Sequence, residues 1–420
     1  MYPGRCVIAP YNLIWEVYMK KKHLMTTVAL MLLTAALTYC ITLYTAEREY
    51  NAKLSNLSEK EAQYERIAEV LSYIEKYYVN GYDEKELTDG ALYGMVAMLG
   101  DRWSKYLTPE QFSSVTNSLN SKVYGIGINA TYDSEDMSLV VLDVFEDSPA
   151  EYAKIQPFDR IISVDGKKVA DIGYDAAVKS ITGAINTPVS LVVEREGVDT
   201  LISMSITRRE IDVPNIKSKI LDGDIGYIKI VGFDTNADKD AAKALDSLKK
   251  ANVTGLIFDV RNNPGGFLNV MTNILDPLLP EGVIIREEDK NGKVTFHNSD
   301  ANELNLPMVV LTNQYSISAA EFFAEALREA GKAVIVGEPT TGKGLAQSNI
   351  PLKDGSGLVL SVSKYFTGRG NSLEDSKGIK PDYLVELTEE ENKNFYLLSD
   401  KEDRQLQEAI RVINEKQEAN

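Results

Sequence analysis

The chain has 420 residues and a formal net charge of −17, which argues against a nucleic-acid partner. That length suits two or three domains. Its two cysteines, Cys6 and Cys40, both precede the polar remainder of the chain, so the body has no disulfide framework and no cysteine metal site.

Met1 to Tyr18 shows no clear pattern, and Met19-Lys-Lys-Lys has the look of a conventional start, so residues 1–19 read as an N-terminal extension. Lys20-Lys-Lys-His23 then precedes Leu24 to Ala46, 23 residues without a charge. That is enough to span a bilayer. The basic cluster should stay cytoplasmic and place everything after Ala46 on the far side. The rival is a cleavable signal peptide, with the body secreted. No small-x-small site ends the run, and Leu37-Thr-Tyr-Cys40 carries a large Tyr39 where a lipoprotein site needs a small residue. The expectation is a signal anchor over residues 20–46, contact with the membrane through residues 24–46, and an extracytoplasmic body.

Glu47 to Lys60 is polar, a stalk or the start of a helix. Ile67, Val70, Leu71, Ile74 and Tyr78 have helical spacing, and a second helix is expected over Glu84 to Leu99. Val123 to Glu210 reads as a small β-rich domain with two helices. In Tyr124-Gly-Ile-Gly-Ile128 the glycines let consecutive N–H groups turn toward an anion, although a tight turn also explains them. Ile225 to Val231, Val253 to Val260, Met308 to Thr312, Ala333 to Gly337 and Leu358 to Ser363 read as strands, with a helix over Ala237 to Lys250. This alternation predicts a layered α/β body. Leu406, Ile410 and Ile413 are spaced for a terminal helix within the charged stretch Glu389 to Asn420.

Ser318 stands where a loop gives way to a helix, whose apolar face is Ala319, Phe322, Phe323, Ala326, Leu327 and Ala330, with Gly331 as its C-cap. The unpaired N–H groups of that helix start could hold an oxyanion. A serine needs a base. The two histidines fit poorly: His23 abuts the apolar segment, and His297 lies in a polar, loop-like stretch, Gly292 to Asn302. The remaining base is a lysine with a lowered pKa, and Lys343, between Gly342 and Gly344, is the candidate, with Gln347 to orient it. Read singly, Ser318 is a helix N-cap and Lys343 a solvated turn residue. Gly337 to Gly344 also comes within one residue of a phosphate-binding loop. Gly344 lacks the hydroxyl for Mg²⁺, however, and the segment beyond it, with Pro351, shows no helical face.

Ser316-Ile-Ser-Ala-Ala-Glu321 together with Thr341 to Gln347 resembles the active-site signature of the carboxyl-terminal processing (tail-specific) serine proteases. In that family the lysine follows the serine by 25 residues and the glutamine follows the lysine by four, as Ser318, Lys343 and Gln347 do here. Asp259-Val-Arg-Asn-Asn-Pro-Gly-Gly266 resembles the family's oxyanion turn. Tyr124 to Ile128, Ser148-Pro-Ala150, Asp159 to Gly166 and Tyr174 to Ile181 follow PDZ order, and Asp101 to Pro109 resembles the family's link between the helical region and the PDZ module. The chain departs from the family where Lys154 and Phe158 replace glycine and Gly368 replaces proline.

The resemblance implies a mixed α/β protein: a helical region (47–120), a PDZ domain (121–210), a Ser/Lys protease core (211–390) and a C-terminal helix (391–420). It implies a serine endopeptidase with Ser318 as nucleophile, Lys343 as base and Gln347 as its support. Ala319 and Gly265 or Gly266 would form the oxyanion hole. Tyr124, Gly125, Ile126, Gly127 and Ile128 would bind the terminal carboxylate of an unstructured, apolar protein tail. Arg160 would sense that peptide, or else serve as a surface ion-pair partner. No metal or other cofactor is required. Relatives use the helical region for dimerisation or to narrow an entrance, which leaves a homodimer open. The rival from another class is a membrane-tethered PDZ adaptor on an inactive protease fold.

Overall fold

A computed structural model describes residues 11–119, 122–133 and 135–418. The first ten residues of the expected N-terminal extension lie outside it. The chain divides into two compact units, residues 1–87 and 88–420, and the division falls inside the second helix, Glu84–Ala97.

The first unit is dominated by a single helix, Tyr11–Tyr77. No proline or glycine interrupts this stretch, and it stops just before Asn80-Gly81. The stalk and the helix expected beyond it are thus one element. Along it Thr34, Thr38 and Thr42 hydroxyls donate to the carbonyls of Leu30, Thr34 and Thr38. Among the described residues no helix is long and apolar enough to cross a membrane. Several side chains of the 24–46 stretch, Leu24, Val28 and Leu32 among them, lie outside the described residues. The expected anchor therefore gains no support.

In the second unit the larger body is built on a six-stranded sheet. Its order is Ile216–Leu221, Ile225–Ile230, Gly255–Asp259, Met308–Thr312, Ala333–Gly337, Tyr383–Leu384. The first pair is antiparallel and the rest run parallel. Gly255–Asp259 and Met308–Thr312 are buried throughout, as parallel strands covered on both faces should be. Leu256, Phe258 and Val310 point to one face, where Ala237–Lys250, Leu268–Leu275 and Ala319–Glu329 pack. Ile257, Val309 and Leu311 point to the other, closed by Leu406, Ala409, Val412 and Ile413 of the terminal helix Arg404–Glu418. A second sheet joins Lys105–Leu107, Gly357–Thr367, Gly282–Asp289 and Val294–Ser299, with Leu345–Pro351 paired to Gly357–Thr367. His297 therefore lies in a strand and not in the expected loop, with Nε2 3.5 Å from Glu287.

The PDZ-like module is a sheet in the order Ile128–Asp133, Ser138–Val144, Arg160–Val164, Pro188–Glu194, Ile202–Thr207, closed by the helix Val169–Ile181 around its own core. Both departures from glycine carry the conformation that glycine accepts most readily, φ 61° at Lys154 and 69° at Phe158. At Gly368 a Cβ would sit 2.3 Å from the Val283 carbonyl oxygen, so the missing proline is a local steric requirement.

Candidate active site

Three loops meet at the carboxyl ends of three adjacent parallel strands. Gly255–Asp259 leads into the turn ending at Gly266, Met308–Thr312 into the loop ending at Ser318, and Ala333–Gly337 into the turn carrying Lys343. Ligand sites of open α/β sheets form at such strand ends. Ser318 and Lys343 line one cleft of about 630 Å³ there, with Gly266, Phe267, Leu268, Gln347, Val115 and Tyr365 also in its wall.

Ser318 has φ 58° and ψ −116°, a strained setting for a non-glycine residue. The strain is held by Glu321, whose carboxylate accepts the Ser318 N–H at 2.7 Å. Ser318 is the N-cap of Ala319–Glu329, in a capping box with Glu321, and it lines the cleft as well. The preceding loop is stitched down. Ser316 Oγ donates to the Val260 carbonyl at 2.8 Å, and Asn313 exchanges bonds with Asn262 through the Asn262 N–H (2.9 Å) and the Asn313 Nδ2 (2.8 Å).

Lys343 is half-buried. Its Nζ donates to Gln347 Oε1, and Gln347 Nε2 donates to the Trp103 carbonyl at 2.6 Å. Burial, with the Lys105 charge nearby, pushes the Lys343 ammonium down to about 8, against the pull of Asp101 and Glu321. An amine in that range is largely neutral in mild alkali and can accept a proton. The chain continues from Gly344 as the strand Leu345–Pro351, so the helix of a phosphate-binding loop is absent from this turn.

The fully buried Glu321 is the residue that sequence reasoning passed over. Besides the Ser318 N–H it accepts the Lys343 N–H (2.9 Å), the Gly342 N–H (2.7 Å) and the Thr340 hydroxyl (2.5 Å). One carboxylate thus fixes the backbones of serine and lysine together. Its place in Ser316-Ile-Ser-Ala-Ala-Glu321 was visible, but only the fold shows what it clamps.

Gly265 is packed against the serine: a Cβ there would stand 2.9 Å from the Ile317 carbonyl and 3.1 Å from Ser318 Cβ. Its N–H, however, donates to Asn263 Oδ1 at 2.8 Å and is not available for an oxyanion. Among the described residues no bond occupies the N–H of Gly266 or Ala319. Behind this turn Asp259 is held by Arg261 and Lys229, and Arg261 also binds Asp403. Burial opposes the Asp259 charge, but Arg261 and Lys229 outweigh it and hold the carboxyl well below its usual range.

Gly125, Ile126, Gly127 and Ile128 line a second cavity, of about 260 Å³, together with Ile181, Thr182, Pro214 and Lys217. Gly127 has φ 84°, and a Cβ there would lie 2.3 Å from Ser148 Cβ. The adjoining strand Ile128–Asp133 is an edge of its sheet, open to strand addition. Tyr124 and Arg160 are not brought to this cavity. The Tyr124 carbonyl accepts the Gly183 N–H, and Arg160 pairs with Asp133 and Asp136, each at 2.7 Å.

Comparison with known proteins identifies the family. Residues 224–385 match Peptidase family S41, residues 114–194 match the PDZ domain, and residues 31–111 match the activating protease CtpB N-terminal domain. The carboxy-terminal processing protease CtpA of Bacillus subtilis (strain 168) is 33% identical over 85% of this chain and 76% of its own length. CtpB of the same strain is 34% identical over 78% and 69%. A solved structure of a proposed S41 protease from Bacteroides fragilis NCTC 9343 shares the fold, with a TM-score of 0.56 at 20% identity, covering 80% of this chain and 92% of that one. The chain therefore belongs to Peptidase family S41, as a serine-type peptidase of the carboxy-terminal processing kind that carries a PDZ domain.

Proposed function

We propose that the chain cleaves protein tails through a Ser318/Lys343 dyad, with the PDZ domain capturing the substrate's C-terminus. The observation that carries this reading is the opening of Ser318 and Lys343 into one cleft, the lysine half-buried and tied to Gln347. Neutral Lys343 takes the Ser318 proton as Oγ attacks the scissile carbonyl. The oxyanion then accepts from the N–H groups of Ala319 and Gly266. Lys343 returns the proton to the leaving amine, and a water activated by the same lysine releases the acyl group. Phe267, Leu268, Val115 and Tyr365 give the cleft an apolar wall, which suits an apolar side chain beside the cut bond. The PDZ part of the reading is supported by the glycine-lined cavity and the open edge strand, which fit a terminal carboxylate followed by an extended peptide.

The test is cleavage of an unfolded protein with an apolar tail, followed by mass spectrometry. Ser318→Ala and Lys343→Ala should each lower kcat/KM by about a thousandfold or more. A Lys343→Ala enzyme retaining most activity excludes the dyad. Tight tail binding with no cleavage by the unaltered protein favours the adaptor reading.

A further inference from the structure

The segment Asp101 to Leu107 joins helices to the PDZ-like module in sequence, yet in the fold it packs against Lys343 and Gln347 of the candidate active site. Lys105–Leu107 pairs with Gly357–Thr367, the strand that also pairs with Leu345–Pro351. The Asp101 carboxylate accepts the Trp103 N–H at 2.9 Å and the Ser104 hydroxyl at 2.5 Å, and Ser104 Oγ accepts the Ser361 N–H at 3.0 Å. These bonds fix Trp103 at two points of contact with the site. Its ring centroid lies 5.0 Å from Lys343 Nζ, and its carbonyl accepts from Gln347 Nε2. Arg102 stacks on the same ring at 4.3 Å and donates to the Thr341 carbonyl at 3.3 Å, which ties the segment to the lysine turn.

We propose that Trp103 is a positioning residue for the reaction, its indole covering the Lys343 amine and its carbonyl locking Gln347, so that lysine and glutamine are held as one unit. This rests on the Ser318/Lys343 reading above.

The carbonyl contact has a definite consequence for orientation. A carbonyl oxygen accepts only, so it selects the Gln347 rotamer with Nε2 toward Trp103 and Oε1 toward Lys343. Gln347 then always presents an acceptor to the amine. The ring acts on protonation in two opposite ways. Its face attracts the ammonium and favours charge. Its bulk keeps water off Nζ and disfavours charge. Burial is the largest influence on Lys343, and the indole, 5.0 Å from Nζ, is part of what covers it; we take exclusion of water as the larger of the two effects. The other charged groups facing the amine are Lys105, which opposes its protonation, and Asp101 and Glu321, which favour it; Arg102 sits on the indole. None of them is removed by a change at Trp103.

The experiment measures kcat/KM for a fluorogenic peptide against pH in the full chain and in Trp103→Ala, Trp103→Leu and Trp103→Phe. Lys343 is titrated in parallel by NMR in the Ser318→Ala background, where no activity is needed. In Trp103→Ala the acidic limb and the Lys343 titration should both move up by about one pH unit, an approximately fivefold loss at about pH 8 that is largely recovered near pH 10. Trp103→Leu, which keeps apolar bulk, should shift less, and Trp103→Phe should stay close to the unaltered enzyme. A uniform loss at every pH with an unmoved Lys343 titration overturns the proposal, because a merely structural role would give that result. Retention of activity in Lys343→Ala sinks the dyad instead, so the two failures are distinguishable.

Discussion

At the scale of single residues, the proposed dyad depends on one proton. The Lys343 amine must be neutral to accept it, and its conjugate acid has been pushed down to about 8. Activity should therefore fall about tenfold per pH unit below about 8 and level off above it. A profile that is flat through this range in peptide hydrolysis would count against Lys343 as the base. Glu321 offers a sign-checked companion test. Its charge favours the protonated lysine, so Glu321→Gln should move the acidic limb to lower pH. The same change puts an amide NH₂ where a second oxygen now accepts from N–H groups, at a cost of about 1–3 kcal/mol in stability and a lower plateau. An unchanged limb with an unchanged plateau would show that the clamp has no role in the reaction.

At the scale of elements, the terminal helix Arg404–Glu418 shows how a charged stretch becomes part of the core. Its mean character is polar, yet Leu406, Ala409, Val412 and Ile413 form one buried stripe. That stripe closes the face of the sheet opposite the helix Ala319–Glu329. Ile413 lies so close to Gly255 that a Cβ there would stand 2.7 Å from Ile413 Cγ2. Ile413→Ala should cost about 2–5 kcal/mol in reversible denaturation. A loss below about 1 kcal/mol would mean that the helix is only loosely docked. The sequence spacing of Leu406, Ile410 and Ile413 revealed the helix. It did not reveal that Ile410 is the least buried of the three, because helix rotation is set by the partner surface.

At the scale of the whole molecule, one buried ion pair links distant parts of the chain. Arg261, in the turn that carries Gly265 and Gly266, binds Asp403 at the head of the terminal helix, 142 residues away in sequence. Asp403→Ala leaves Arg261 with Asp259 as its remaining carboxylate and should cost about 3–5 kcal/mol, read as a lower Tm. An unchanged Tm would make the pair incidental.

The sequence by itself determined the family and the order of its modules. Ser318, Lys343 and Gln347 sit in short motifs whose residue types and spacings carry the resemblance to the family's active-site signature. Apolar runs and helical spacings mark the strands and helices, because local propensity and periodicity act over a few residues. The tertiary structure decided which groups are free to act. Gly265 was as good an oxyanion candidate as Gly266 until Asn263 was seen to occupy its N–H. Tyr124 and Arg160 belong to the right module but are not among the residues that line its cavity, and Arg160 is paired with Asp133. Trp103 reaches Gln347 across 244 residues. A hydrogen-bond donor is spent or unspent according to what the fold places opposite it, and that depends on contacts between segments far apart in the chain.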